Sequence, residues 1–292
     1  MEINRSALLP NLLTIGNGIC GFAALVKLGK IEVVGGQFGK EFVHAENFTI
    51  ASYLILLGMV FDVFDGKLAR MSKSNDSKLG AQLDSLCDLI TFGLVPAYMI
   101  LRLSLREPVT WQNIAWFFAL AYFLGALLRL ARFNVENAPD ESAHLAFKGL
   151  PTPAAAGCVA SVVIFLRYVV KFDAPELQLV GDYLKLESAT LADVLSTMDR
   201  SLTVGLVFLA PLLGFTMVAD RLKFDHMGSK LFGRRQSFNF LVYLIFGVLL
   251  LATVPEVVLP VTFLGYLLWT PLHTLYRSFF PARQVPATDE SA

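Results

Sequence analysis

Four aspartates give the clearest chemical signal in this chain, because they lie beside apolar segments where charge is costly. Asp62 directly follows the apolar run 50–61, and Asp88 directly precedes the apolar run L-I-T-F-G-L-V-P. Ionisable residues in such membrane-length segments are usually functional. Asp62 and Asp65 are three residues apart and Asp84 and Asp88 are four apart, so each pair shares one face of a helix. Two helices joined by a short loop could therefore direct four carboxylates at one point.

Carboxylates gathered in this way would repel one another, so the site needs a cation to offset their charge. Oxygen ligands of this kind suit hard divalent ions such as Mg²⁺ and Mn²⁺. The aspartates therefore predict a divalent-metal site, and a catalytic one.

Small and basic residues between the aspartates indicate that a phosphate-bearing ligand binds beside the metal site. Gly66 and Gly80 have no Cβ, so a ligand or a helix backbone could approach them closely. Ala69 is small, and Arg70 offers a planar guanidinium that matches phosphate oxygens. These residue types favour a site for a phosphate ester over a bare ion site.

The composition predicts an integral membrane protein. Of the 292 residues, 55% are hydrophobic and only 16% are charged, which is unusual for a soluble domain of this size. A membrane-spanning helix needs about 20 apolar residues. We therefore predict an all-α, polytopic membrane bundle of about eight transmembrane helices, at 8–28, 48–66, 86–104, 112–132, 152–171, 202–219, 236–254 and 257–275.

The remaining segments predict a single membrane domain over residues 1–280, followed by a disordered polar tail over 281–292. The polar segment 172–201 is expected to be a loop that carries a short surface helix at 189–196. Zero net charge argues against nucleic acid as a partner.

The distribution of lysine and arginine predicts the orientation of the bundle. With eight spans, both termini and the loops 67–85, 133–151 and 220–235 lie on one side, which carries most of the lysine and arginine residues. The loop 172–201 on the other side is acidic. Because basic loops stay in the cytoplasm, the aspartates are expected at the cytoplasmic face of the cell (inner) membrane.

The combined pattern D-x2-D-G-x2-A-R-x9-G-x3-D-x3-D, from Asp62 to Asp88, resembles the motif of the CDP-alcohol phosphatidyltransferase family. The gap of nine residues is about one longer than is usual there, and the extra residue falls in a polar loop. Four further blocks, which bring the resemblance to residues 8–160, are similar to the phosphatidylserine synthase branch of that family: L-P-N-L-L-T-I-G-N from Leu9, S-L-C-D-L-I-T-F-G-L-V-P-A from Ser85, R-L-A-R-F-N from Arg129 and F-K-G-L-P-T-P-A-A-A from Phe147.

The resemblance implies transfer of a phosphatidyl group from CDP-diacylglycerol to the hydroxyl of L-serine, with release of CMP. It also implies a homodimer, and a pair of Mg²⁺ or Mn²⁺ ions held by Asp62, Asp65, Asp84 and Asp88, with Asp88 as the catalytic base. The residues implied to bind CDP-diacylglycerol are Gly66, Ala69, Arg70, Gly80, Asn11, Thr14 and Asn17.

An amino-acid acceptor needs a site for its carboxylate. Arg129 and Arg132 share one helix face near the cytoplasmic end of the fourth apolar run, and Asn134 follows them. We predict that one of these arginines pairs with the serine carboxylate. The alternative is that both only anchor the helix end in the positive-inside manner.

Two other functions stay open at this point. The same scaffold could serve another acceptor, such as glycerol 3-phosphate or inositol phosphate, although a phosphorylated acceptor would need more basic residues near the pocket. A metal-ion transporter could use the aspartates as its ion site, but Arg70 beside them would repel a transported cation.

Overall fold

The computed structural model describes residues 5–36, 39–71, 78–136, 149–170, 188–219 and 238–279, and most of them are helical. A π-helical segment, Leu89–Leu94, joins the helices Lys78–Asp88 and Val95–Ser104 into one continuous helix. The helices are α1 (Arg5–Gly29), α2 (Glu46–Met71), α3 (Lys78–Asp88), α4 (Val95–Ser104), α5 (Val109–Glu136), α6 (Thr152–Val170), α7 (Ser188–Val218), α8 (Phe238–Thr253) and α9 (Pro255–Phe279).

The prediction of an all-α membrane bundle is confirmed. Counting α3 to α4 as one, the described residues form eight helical segments at the positions of the eight apolar runs. Two of them, α8 and α9, contain only shorter apolar stretches, Val242–Thr253 and Pro255–Trp269. Six are long and apolar enough to cross a membrane: Leu8–Gly29, Glu46–Ala69, Leu79–Ser104, Val109–Val135, Thr152–Val169 and Ser196–Val218.

Within the predicted loop 172–201, the helix expected at 189–196 is present, but it is not confined to those residues, because α7 begins at Ser188 and continues unbroken into the membrane span. Residues 172–187 lie outside the described residues. Neither glycine nor proline occurs between Ser188 and Val204, so nothing in the backbone ends the helix there. One of the charges that suggested a loop is paired: Asp199, only 4% exposed, forms an ion pair with Arg106.

A short β-hairpin, absent from the sequence prediction, connects α1 to α2. Strands β1 (Glu32–Gly36) and β2 (Gly39–Val43) pair antiparallel, with Val33 opposite Phe42. The hairpin lies at the end of the bundle opposite the aspartates, since α1 and α2 run in opposite directions between the two ends. The predicted tail 281–292 lies outside the described residues.

Helix α6 is the most enclosed element of the bundle, and α2, α7 and α9 pack around it. Its residues Ala155, Ala156 and Cys158–Val163 are buried. An α-helix that is apolar on every side is stable only when other elements surround it. The start of α6 is fixed by Gly149, whose φ of 87° suits glycine, and by the Leu150 N–H, which donates to the Thr216 carbonyl at the end of α7.

Helices α5 and α7 cross with their backbones in direct contact at Gly125 and Gly214. A Cβ added at Gly214 would lie 2.6 Å from the Ala121 carbonyl oxygen and 3.0 Å from the Tyr122 Cα, both backbone atoms that cannot move aside. The close crossing packs α5, which carries the arginines at its end, directly against α7.

We expect Gly214→Ala to destabilise the protein by about 1–3 kcal/mol, because the added methyl group overpacks this crossing. Gly205→Ala on the same helix is the matched control, because nothing lies within 4 Å of its added Cβ. Helix propensity favours that change by about 0.5–1 kcal/mol. Thermal unfolding in detergent should show a lower melting temperature for Gly214→Ala only. Equal melting temperatures for the two variants would contradict the close backbone contact between α5 and α7.

Candidate active site

The four aspartates meet where the end of α2 faces α3. Asp65 and Asp88 are buried and Asp62 and Asp84 are partly buried. One carboxylate oxygen from each of Asp62, Asp84 and Asp88 lies within 4.8 Å of the others. Asp65 borders this three-carboxylate group, close enough to act electrostatically on Asp84 and Asp88. The two-helix arrangement inferred from the spacing therefore occurs, with three carboxylates in the tight group and the fourth beside it.

Helix α1 holds Asp65 in place through a threonine. The Thr14 hydroxyl lies 2.8 Å from Asp65 Oδ2 and 3.2 Å from the Pro10 carbonyl, so it can donate to either oxygen. Thr14 is 4% exposed, which shields this hydrogen bond from water. Thr14 was predicted to bind the nucleotide, which stays a prediction; its contact in this structure is with a carboxylate.

Asn17 makes the corresponding contact with Asp88. Its side-chain amide donates to Asp88 Oδ1 at 2.8 Å, and its main-chain carbonyl accepts the Thr91 hydroxyl at 3.0 Å. Asn17 is fully buried, and within the described residues its Oδ1 has no hydrogen-bond partner. A Cβ on Gly58 would lie 2.8 Å from that oxygen. The absence of a side chain at Gly58 thus makes room for the residue that orients Asp88.

The π-helical segment directly after Asp88 has a visible cause in the sequence. Pro96 has no N–H, so the Phe92 carbonyl loses the donor that an α-helix would supply four residues later. The buried Tyr122 hydroxyl of α5 donates to that carbonyl at 2.9 Å instead. The Val95 N–H bonds to the Ile90 carbonyl five residues back, the spacing of a π-helix. π-Helical segments often occur at functional sites. This one directly follows Asp88, and the Tyr122 hydrogen bond attaches it to α5.

Arg129 of α5, one of the predicted acceptor residues, lies within electrostatic range of the carboxylates. Asp62 and Asp88 both act electrostatically on its guanidinium group. Its Nη1 donates to the Thr152 hydroxyl at 3.3 Å, and its Nε is buried without a hydrogen-bond partner in the described part of the chain. Arg129 therefore joins the start of α6 to the aspartate group.

The other two predicted acceptor residues lie one turn further along α5. Arg132 is partly buried and close enough to act electrostatically on Arg129. The Asn134 Oδ1 accepts the Ser85 hydroxyl at 2.8 Å, beside Asp84 in the sequence. All three residues thus belong to the aspartate end of the bundle.

The predicted donor-binding residues surround the same end. Gly66 and Ala69 continue the helix face of Asp62 and Asp65 and are partly buried, and Gly80 lies in the first turn of α3. Asn11 is partly buried on the α1 face that carries Thr14 and Asn17. Arg70 directly follows Ala69 on α2, but its side chain lies outside the described part of the structure.

The residues present fit a divalent cation. Three carboxylates with oxygens within 4.8 Å of one another, at least partly removed from water, repel strongly unless a positive charge lies between them. Their all-oxygen donor set is the one that Mg²⁺ and Mn²⁺ prefer. The candidate ligands are Asp62, Asp84 and Asp88, with Asp65 at the edge.

Comparison with known proteins identifies the family. The family model described as CDP-alcohol phosphatidyltransferase matches residues 7–191, more than half of the chain. The chain belongs to the CDP-alcohol phosphatidyltransferase family. The family inferred from the aspartate motif is therefore confirmed, and the protein is a membrane-embedded member of a transferase family.

Several relatives of this family member carry one name, CDP-diacylglycerol–serine O-phosphatidyltransferase. The one from Saccharomyces cerevisiae is 31% identical over 58% of this chain and 58% of its own length. The one from Bacillus subtilis is 34% identical over 55% of this chain and 76% of its own length. The one from Methanocaldococcus jannaschii is 38% identical over 35% of this chain and 45% of its own length. The chain thus spans little more than half of the yeast relative, and no solved structure matches it.

The family segment contains all four aspartates, the arginines of α5 and the start of α6. It ends at residue 191, so α8 and α9 lie beyond it. Sequence reasoning missed Gly58 and Tyr122, because an isolated glycine or tyrosine in an apolar run carries no chemical signal of its own. Thr152 lies in the block that begins at Phe147, but sequence reasoning assigned it no separate role. Only the packing of the helices brings them to the site.

Proposed function

We propose that the protein transfers a phosphatidyl group from CDP-diacylglycerol to the hydroxyl of L-serine and releases CMP. The observation that carries this proposal is the group of carboxylates on Asp62, Asp84 and Asp88, within 4.8 Å of one another, with Arg129 electrostatically coupled to it. The carboxylates suit the metal-dependent departure of a nucleotide, and the cation suits an acceptor that bears a carboxylate. The names of the relatives support serine as that acceptor.

In this reaction Asp62, Asp65, Asp84 and Asp88 hold Mg²⁺ or Mn²⁺, which when bound offset the negative charge that develops on the pyrophosphate as CMP leaves. Asp88 accepts the proton of the serine hydroxyl while the serine oxygen attacks the phosphorus of the phosphatidyl group. The new P–O bond to serine forms as the P–O bond to CMP breaks.

The hydrogen bond from Asn17 gives Asp88 a defined role in this step. Because Asn17 occupies Asp88 Oδ1, the other carboxylate oxygen remains to take the proton. Thr14 restricts Asp65 in the same way. A carboxylate held in one orientation needs no rearrangement before it acts.

For CDP-diacylglycerol we propose contacts along the face that α2 and α3 present beside the carboxylates. Arg70 supplies charge for the phosphates, while Gly66, Ala69 and Gly80 allow close approach of the nucleotide. Asn11 lies on the adjoining face of α1, together with Thr14 and Asn17. The protein acts from the membrane, with this end of the bundle at the cytoplasmic face and with a second copy as partner.

For serine we propose that Arg129, more than Arg132, pairs with the carboxylate. Arg129 Nε is buried and lacks an acceptor in the described residues, which is costly for a charged group. A bound carboxylate would supply that acceptor in the forked geometry that guanidinium groups favour.

Arg129→Lys should raise the KM for serine by about 10-fold or more. Lysine keeps the positive charge but lacks the two parallel N–H donors with which a guanidinium group binds a carboxylate. The KM for CDP-diacylglycerol should change little. Arg132→Lys is the comparison and should have the smaller effect on serine. Steady-state kinetics with each substrate varied in turn measures both constants, and an unchanged KM for serine in Arg129→Lys would show that the carboxylate binds elsewhere.

The proposed function is tested by following labelled serine. Membranes that contain the protein, given CDP-diacylglycerol and Mn²⁺ or Mg²⁺, should convert labelled serine into labelled phosphatidylserine that partitions into organic solvent. Membranes without the protein provide the background. A lipid product that carries no label from serine would overturn the choice of acceptor.

A further inference from the structure

Helix α9 is fixed tightly against α6, outside the segment that defines the family. A Cβ on Gly157 of α6 would overlap the ring of Phe263, and the Cys158 thiol donates to the Phe263 carbonyl at 3.5 Å. Leu267, one turn further along α9, is 5% exposed. These contacts determine which residues of α9 can reach the candidate active site.

The two helices run in opposite directions, so α9 approaches the active site as its residue numbers increase. Thr152, where α6 begins, is five residues before Gly157, or about 7.5 Å at the rise of an α-helix. Tyr266 is three residues after Phe263 on the same face, which moves it about 4.5 Å towards the same end. Along the helix axis, Tyr266 is therefore within about 3 Å of the level of Thr152.

Two observations place Tyr266 at this end of the site. Its side chain is partly buried and packs against the core of the bundle. Its phenol group also acts electrostatically on Arg129, as Asp62 and Asp88 do. Tyr266 therefore lies at the same end of the bundle as Arg129, within electrostatic range of the guanidinium group on which Asp62 and Asp88 also act.

The groups gathered here are mostly hydrogen-bond donors. The Arg129 Nε needs an acceptor, the Thr152 hydroxyl already receives Arg129 Nη1 and has its own proton to donate, and a phenol can donate as well. A cation flanked by two hydroxyl groups suits a small anion with two oxygens. Beside the aspartates, that anion is the carboxylate of the acceptor.

We propose that α9 forms one wall of the acceptor pocket and that the Tyr266 hydroxyl donates a hydrogen bond to the acceptor carboxylate held by Arg129. This proposal rests on the proposed function, and it makes Tyr266 a specificity-determining residue. A site built to hydrogen-bond a polar group of its substrate discriminates strongly against analogues that lack that group. Tyr266 thus favours serine over ethanolamine, which has the same reacting hydroxyl and amine but no carboxylate.

The test compares Tyr266→Phe with Tyr243→Phe, its matched control. Tyr243 lies on α8 and is 74% exposed, so loss of its hydroxyl should alter nothing. In Tyr266→Phe the KM for serine should rise about 10-fold, with the KM for CDP-diacylglycerol within about 2-fold of its original value. The ratio of kcat/KM for serine to that for ethanolamine should fall by a similar factor. The ring is retained, so equal melting temperatures should accompany these changes.

An active Tyr266→Phe protein with an unchanged KM for serine would overturn this proposal alone. Equal rises in the KM of both substrates would also overturn it, because they indicate a general disturbance of the site. If the unaltered protein released no CMP in response to serine, the proposed function would fail and this proposal with it.

Discussion

Asp88→Asn is expected to lower the rate of CMP release by about 10²–10⁴-fold, the usual contribution of a general base. Asparagine keeps the shape of the side chain but has no carboxylate to take the proton of the acceptor hydroxyl. It also removes one of the three carboxylates that lie within 4.8 Å of one another. The measurement is kcat at saturating CDP-diacylglycerol, serine and Mn²⁺.

Asp193→Asn is the control for this change. Asp193 is exposed on α7, in the turns before its membrane span, and far along the chain from the aspartate group. The same substitution there should leave kcat unaltered. If Asp88→Asn kept more than a tenth of the original kcat, Asp88 could not be the base.

Asn17→Leu is expected to lower kcat by about 10–100-fold, the usual effect of removing a group that orients a metal ligand. Leucine has the same branching of side-chain heavy atoms as asparagine but cannot donate to Asp88 Oδ1, so the carboxylate loses its fixed orientation. The KM for CDP-diacylglycerol should change by less than kcat does.

Comparison of the changes in kcat and in KM distinguishes two roles for Asn17, binding the nucleotide and positioning Asp88. A nucleotide ligand would mainly raise the KM for CDP-diacylglycerol when it is lost, whereas a residue that positions Asp88 mainly affects kcat. Asn113→Leu is the matched control, because Asn113 is exposed near the start of α5, at the other end of the bundle. A rise in KM without a fall in kcat would contradict the positioning role.

The local pattern of residues was sufficient to predict the helices and the aspartate group. Apolar runs of membrane length and the i, i+3 and i, i+4 spacing of carboxylates are properties of short segments, so the sequence displays them directly. The same local reasoning failed at Asp199. It is acidic and follows a polar segment, which suggested a loop, whereas its partner Arg106 lies more than 90 positions earlier in the chain.

What supports the site depends on contacts between distant segments, which a single sequence does not display. Pro96 is visible, but the need for Tyr122 to satisfy the Phe92 carbonyl follows only from the way α5 packs on the π-helical segment. Gly58 makes room for Asn17 only because α1 lies against α2 at that level. The position of Tyr266 beside Arg129 also depends on such contacts, and Tyr266 lies on a helix beyond the family segment.

The most direct test of the proposed reaction is CMP release by the purified protein in detergent, with CDP-diacylglycerol and Mn²⁺ or Mg²⁺. Serine, glycerol 3-phosphate and inositol would be compared as acceptors, with and without a chelator. CMP is expected to form with serine, to form far more slowly with the other two acceptors, and to stop forming when the metal is removed. Metal binding without CMP release from any acceptor would contradict the proposed reaction.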